Sequence, residues 1–167
     1  TQCFDAAYDA CKIALEHMTP VVLLTDAFVA NGSGAWKLPD LASYPAINPP
    51  YVTPEMKDNY TPYQRNPETG VRYWAIPGQE GYTHILGGLE KDSKTGAIST
   101  APDNHDLMCR LRAEKVERIP VPDVKVEGCA DDADLLIVGF GGTYGHLYSA
   151  MQEMNQRGKK VALAHFT

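Results

Sequence analysis

"ADLLIVGFGGTYGHLYSAMQEMNQRGKKVALAHF", residues 133–166, decides the fold. Residues 135–140 form a short apolar run without polar alternation, the pattern of a strand covered on both faces. A glycine-rich turn follows. Leu147, Ala150, Met151 and Met154 then recur at helical spacing as a buried stripe, and Gly158 ends the helix. A second apolar run, residues 161–166, closes the stretch. Strand, helix and strand in this order predict a βαβ unit with a right-handed crossover, hence an α/β fold with a partial parallel sheet.

The turn invites a nucleotide-binding reading, which its spacing weakens. The dinucleotide fingerprint uses three glycines, for a tight turn, for close approach of pyrophosphate and for helix–strand packing. Gly139 and Gly141 match the first two positions, but the third falls on Tyr144, and Gly145 is one place late. No Asp or Glu ends the second strand to hold a ribose, and no Gly-Lys-Ser/Thr follows for a P-loop. The simpler reading is a sharp βα turn with Thr143 capping the helix. A weak anion site built from Gly139, Gly141, Gly142 and Thr143 is the functional version of that turn. A nucleotide-binding regulatory module using the Gly139–Gly145 turn, or an interaction module without a ligand, is the alternative to the reading below.

Outward from this unit, residues 2–18 carry Phe4, Ala7, Tyr8, Cys11, Leu15 and Met18 at helical spacing. Thr1 is placed as N-cap, and Thr19-Pro20 stops the helix. "PVVLLTD", residues 20–26, reads as a doubly buried parallel strand, and "AFVAN" as a helical turn closed by Asn31-Gly32. Between Trp36 and Pro77, dense prolines with interleaved aromatics predict an ordered arm. "VRYWAI" and "YTHIL" alternate as a hairpin across "PGQEG", and "KDSKTGAIST" reads as a turn into a short strand. A second long helix follows over "APDNHDLMCRLRAEKVERI", capped by Asp103 or Asn104, and "PVPDVKVEG" returns to extended chain.

Composition narrows the function classes. A net charge of −6 over 167 residues argues against a nucleic-acid surface. No apolar run approaches the ~20 residues of a membrane span. The four cysteines Cys3, Cys11, Cys109 and Cys129 contain no CxxC pair, which points to reduced, mostly buried thiols in a cytoplasmic protein. The chain ends on a strand and reads as a fragment of a longer polypeptide whose unpaired sheet edges favour self-association.

Six side chains stand out for substrate or interface contact. Asp26 ends an apolar run, where α/β sheets place ligand groups, but reads first as a loop-capping carboxylate. Arg72 and His84 lie in the expected hairpin. The arginine suits a carboxylate or an aromatic face. Glu90 and His105 suit a carboxylate–imidazole pair that orients the arm. His146, in the first turn of the last helix, suits an interface. Arg110, Arg112, Lys115 and Arg118 read as a solvated helix face, and Asp131, Asp132 and Asp134 as a solvated acidic run rather than a metal cradle.

Five stretches carry a family resemblance in order: "TPVVLLTDAFVANGS", "WKLPDL", "PETGVRYWAIPG", "GGLEKDSKTGAISTAPDNHDLMCRLRAEKV" and "GFGGTYGH". Together they resemble the alpha subunit of 2-oxoacid:ferredoxin oxidoreductases, most closely the 2-oxoglutarate type. The resemblance implies oxidative decarboxylation to an acyl-CoA with thiamine diphosphate, magnesium, an iron–sulfur cluster and coenzyme A in the full enzyme. It implies a beta subunit and ferredoxin as partners. It also implies residues 1–35 as the tail of a thiamine-pyrimidine-type domain and 36–125 as connecting arm, hairpin and helix. Residues 126–167 would then be the first βαβ of a transketolase C-terminal-like domain. The family's substrate and cofactor-activating motifs are absent from these residues, so the fragment is expected to hold no catalytic residue, no cofactor and no metal, and to serve as scaffold and subunit interface.

Overall fold

The structure is a computed structural model that describes residues 2–166, so the expected cap Thr1 lies outside the described residues. In chain order the regular elements are α1 (Gln2–Glu16), α2 (Ala27–Asn31), α3 (Pro102–Glu117), β1 (Val126–Gly128), β2 (Leu135–Phe140), α4 (Tyr144–Gln156) and β3 (Val161–Phe166). The chain divides into two compact units. One holds residues up to 7, 22–39 and from 121 on; the other holds 8–21 and 40–120.

The first unit is built on the expected βαβ. β2 and β3 pair in parallel from Leu135↔Val161 to Phe140↔Phe166, with α4 as the crossover. The sheet order is β1-β3-β2, and β1 runs antiparallel to β3 through Val126↔Ala164. The sheet is therefore mixed and not parallel, because the "PVPDVKVEG" segment doubles back along the far side of β3. As the central strand, β3 buries Val161, Ala162, Leu163 and Ala164. Met151 of α4 packs on Val161 and Leu163, with Ile137, Leu147 and Tyr148 around them.

The inward face of α4 is rotated from the expected stripe. Leu147, Tyr148, Met151 and Asn155 face the sheet, while Ala150 and Met154 are exposed. Asn155 explains the rotation. Its amide donates to the Val161 carbonyl at 2.9 Å and accepts from the Val161 N–H at 2.7 Å. It thereby joins the last turn of the helix to the first residue of β3, and Gly158 at φ +80 releases the chain between them.

Two expectations of strand structure fail for one reason. A strand exists only where a neighbour takes its backbone groups. Residues 20–26 form no strand, and Val22 and Leu24 are 81% and 75% exposed. The 71–76 and 82–86 segments do not pair as a hairpin. Instead Trp74 bridges Tyr51 and Arg72 bridges Arg65. The Lys91↔Ile98 bridge closes the turn anticipated in "KDSKTGAIST".

In the second unit the proline-rich arm is ordered by side chains reaching backbone carbonyls. Trp74 Nε1 donates to Leu15 O at 2.9 Å and Tyr82 Oη to Thr53 O at 2.6 Å. Arg72 donates to Pro62 O at 3.1 Å and lies 4.5 Å over the Tyr63 ring. Lys91 is buried, and its ammonium reaches the carbonyls of Gly87, Gly88 and Leu89. Prolines leave nearby carbonyls without ladder donors, and long donor side chains satisfy them. Val52, Val71, Tyr82 and Met108 are buried here.

Local details also depart from expectation. α1 ends at Glu16, with Met18 at φ +46 and the Thr19 N–H donating to Ala14 O. α3 starts on Pro102 with no side-chain cap, since Asn104 is engaged with Ser93 N and Lys91 O. Lys115 and Arg118 of the supposed wet face donate to the carbonyls of Met18 and of Pro67 and Glu68. The thiols are not mostly buried: Cys3, Cys11 and Cys109 are exposed and Cys129 is half-buried.

Candidate functional site

The glycine turn lies in the first unit and is already filled. Asp26 sits just before α2, and its Oδ1 accepts the N–H groups of Phe28 at 2.8 Å and Val29 at 3.2 Å. The same carboxylate lies against the turn. A Cβ on Gly141 would come within 2.9 Å of the Asp26 Cβ, and one on Gly142 within 2.9 Å of Oδ1. The Val29 N–H bond chiefly holds the Asp26 carboxyl below its ordinary value, with the Gly142 and Phe28 N–H groups adding to it. Asp26 thus supplies the negative charge that a glycine-rich turn attracts, so a phosphate placed there would meet a carboxylate.

The remaining parts of the turn have structural work. A Cβ on Gly139 would lie 2.2 Å from Leu147 Cδ1, so the absence of a side chain lets α4 close on β2. Thr143 does not cap α4. A short 3-10 turn, Gly141–Thr143, leads straight into the helix, and the hydroxyl donates to Phe140 O at 2.8 Å.

The second unit brings Glu90 and His105 together. His105 Nδ1 lies 2.8 Å from Glu90 Oε2. Arg112 adds a forked contact, with Nη1 3.0 Å from Oε1 and Nη2 3.4 Å from Oε2. These bonds, Arg112 first and His105 second, hold the Glu90 carboxyl at about 2. The Glu90 bond also raises Arg112. Leu89, at φ +70, makes the bend that aims Glu90 at α3. Cys109 completes the cluster: its Sγ lies 3.7 Å from His105 Nε2 and 3.3 Å from Arg112 Nη2. The spacing of the four cysteines gives no pointer to Cys109. The usable signal was its position four residues after His105 on one helix.

A third cluster was not anticipated. Lys125 Nζ and Tyr144 Oη donate to the two oxygens of Glu127 at 2.8 and 2.9 Å. Lys125 first and Tyr144 second lower the Glu127 carboxyl, and the Glu127 bond raises Tyr144. Tyr144 also stacks on Tyr148 and meets His165 edge-on. Lys125, Glu127, Tyr144 and His165 border an open depression of about 430 Å³. His84 takes no part in any cluster of acids and bases; its Nδ1 is 2.7 Å from Tyr82 O and its ring faces Tyr60. Arg72 is committed to Pro62, Tyr63 and the Met18 sulfur. His146 is exposed on the first turn of α4. Among the described residues no group of three His, Cys, Asp or Glu side chains is arranged to hold a metal, and no helix is long and apolar enough to cross a membrane.

No protein-family model matches the chain. It is 44% identical over 98% of its length to the 2-oxoglutarate oxidoreductase subunit KorA of Mycobacterium tuberculosis. The resemblance seen in the sequence is real. The match covers only 25% of that relative, so the chain spans about a quarter of its length. The 2-oxoglutarate synthase subunit KorA of Methanothermobacter marburgensis is 23% identical over 96% of the chain and 42% of the relative. Among solved structures, the 2-oxoglutarate:ferredoxin oxidoreductase of Magnetococcus marinus, with 2-oxoglutarate, coenzyme A and succinyl-CoA bound, superposes with a TM-score of 0.66 at 31% identity. That likeness covers 77% of this chain and 22% of the other. The KorA likeness thus spans both units, while the mixed α/β architecture resembles part of a known oxidoreductase.

Proposed function

We propose that this chain is part of the KorA-type alpha subunit of a thiamine diphosphate-dependent 2-oxoglutarate:ferredoxin oxidoreductase, and that its share of the enzyme is scaffold and subunit interface. The observation that carries the reading is the 44% identity along 98% of the chain to a 2-oxoglutarate oxidoreductase subunit. The scaffold role is supported by Asp26. A turn occupied by a carboxylate does not fit a diphosphate, which supports the reading that thiamine diphosphate is held by the beta subunit. The open edge of β2 supports an interface role: Leu135, Leu136, Val138 and Phe140 are all more than half exposed. In this reading residues 1–35 and 126–167 belong to two successive domains of the parent subunit, with 36–125 between them.

The test has two arms. The intact enzyme, purified with its partner subunits, is expected to reduce ferredoxin when given 2-oxoglutarate and coenzyme A, and to do so poorly with pyruvate. Calorimetric titration of thiamine diphosphate into the chain alone is expected to show no binding. Tight binding would overturn the division of labour between subunits. The competing nucleotide-binding reading is opposed by the same Asp26 carboxylate. It predicts thermal stabilisation by NAD, NADP, ATP or coenzyme A that is lost in Gly141→Val.

A further inference from the structure

We propose that Cys109 is a modification site: an exchange-reactive thiol, served by His105 and Glu90 and steadied by Arg112, that forms mixed disulfides with small disulfide compounds. The geometry is that of an activated nucleophile, in which a thiol faces an imidazole and a carboxylate orients that imidazole from behind. His105 and Cys109 are one helical turn apart on α3, which sets Nε2 3.7 Å from Sγ. Glu90 accepts from Nδ1 at 2.8 Å, so the lone pair is left on Nε2, towards the sulfur. Arg112 is anchored by Glu90 and places Nη2 3.3 Å from Sγ, where a guanidinium stabilises negative charge on sulfur.

The step balances without any further reagent. Nε2 takes the thiol proton, and the Cys109 thiolate attacks one sulfur of the small disulfide. A new S–S bond forms to Cys109 as the S–S bond of the reagent breaks. The departing thiolate takes the proton back from His105. Cys109 is oxidised to the mixed disulfide, and the departing half of the reagent is reduced to a thiol. Cys109 is exposed, and a depression of about 290 Å³ lined by Leu89, Ile98, Ser99 and Thr100 adjoins Glu90 and His105 and leaves room for a small adduct. Cys3 and Cys11 are exposed as well, but their sulfurs have no imidazole or guanidinium partner among the described residues. They serve as internal standards.

The experiment uses the intact reduced protein at neutral pH with limiting bis(2-hydroxyethyl) disulfide, quenched over time and read cysteine by cysteine by mass spectrometry. Cys109 is expected to be modified roughly ten-fold faster than Cys3 and Cys11, because a base and a guanidinium are held against its sulfur and not against theirs. His105→Gln is expected to bring it down to their rate, and Glu90→Gln part of the way. Arg112→Lys, which keeps a cation, is expected to retain more of the rate than Arg112→Met. A Cys109 rate no higher than that of Cys3 and Cys11 overturns the proposal. So does a folded His105→Gln variant that reacts as fast as the parent. Neither outcome bears on the oxidoreductase reading, which rests on ferredoxin reduction.

Discussion

The βαβ unit and the proline-rich arm reach order by opposite means. In the βαβ unit, strand backbone pairs with strand backbone, and apart from Asn155 the inward side chains of α4 fill the space against β3. In the arm, regular pairing shrinks to isolated bridges, and Trp74, Tyr82, Arg65, Arg72 and Lys91 carry hydrogen bonds to carbonyls that no ladder serves. The first design concentrates stability in a few buried apolar residues. The second spreads it over many directional contacts of modest individual worth.

That contrast has measurable consequences. Leu163 is fully buried at the centre of the sheet, so Leu163→Ala is expected to cost about 3 kcal/mol in urea denaturation, the usual range for an emptied core site. Trp74→Phe keeps most of the ring and loses the bond to Leu15 O. It is expected to cost about 1 kcal/mol by the same measurement. If the two losses came out equal, the division between a concentrated and a distributed core would fail.

The smallest effect is a pH dependence. Glu90 ionises at about 2 in the folded chain, against an ordinary 4.5. Its contribution is present in full above 4.5 and is lost as pH falls towards 2, because the unfolded chain takes up the proton first. Thermal melts of the parent and Glu90→Gln are therefore expected to differ at neutral pH and to converge through that window. A gap that persists at pH 2 would mean that the carboxylate's charge is not what the arm uses.

The contrast also explains what was legible in the sequence. The βαβ unit was readable because its signals are local: two apolar runs, a helical repeat and Gly158. The rotation of α4 was not, because it depends on Asn155 finding the backbone of β3. "VRYWAI" announced a capacity to pair but not the partners, Tyr51 and Arg65, which lie among prolines. The run at 20–26 announced burial but could not supply a neighbouring strand. Of the candidate site residues, Glu90 and His105 do meet, and Asp26 meets the glycine turn. Cys109, Arg112, Lys125, Glu127 and Tyr144 went unnoticed as site residues because acid, base and thiol chemistry arises from contacts across the fold.

The plug in the glycine turn is a single side chain from a distant part of the chain, so the turn's preference for charge hangs on one codon. Replacing Asp26 with glycine would strip out the built-in anion and leave the Gly142 amide facing solvent.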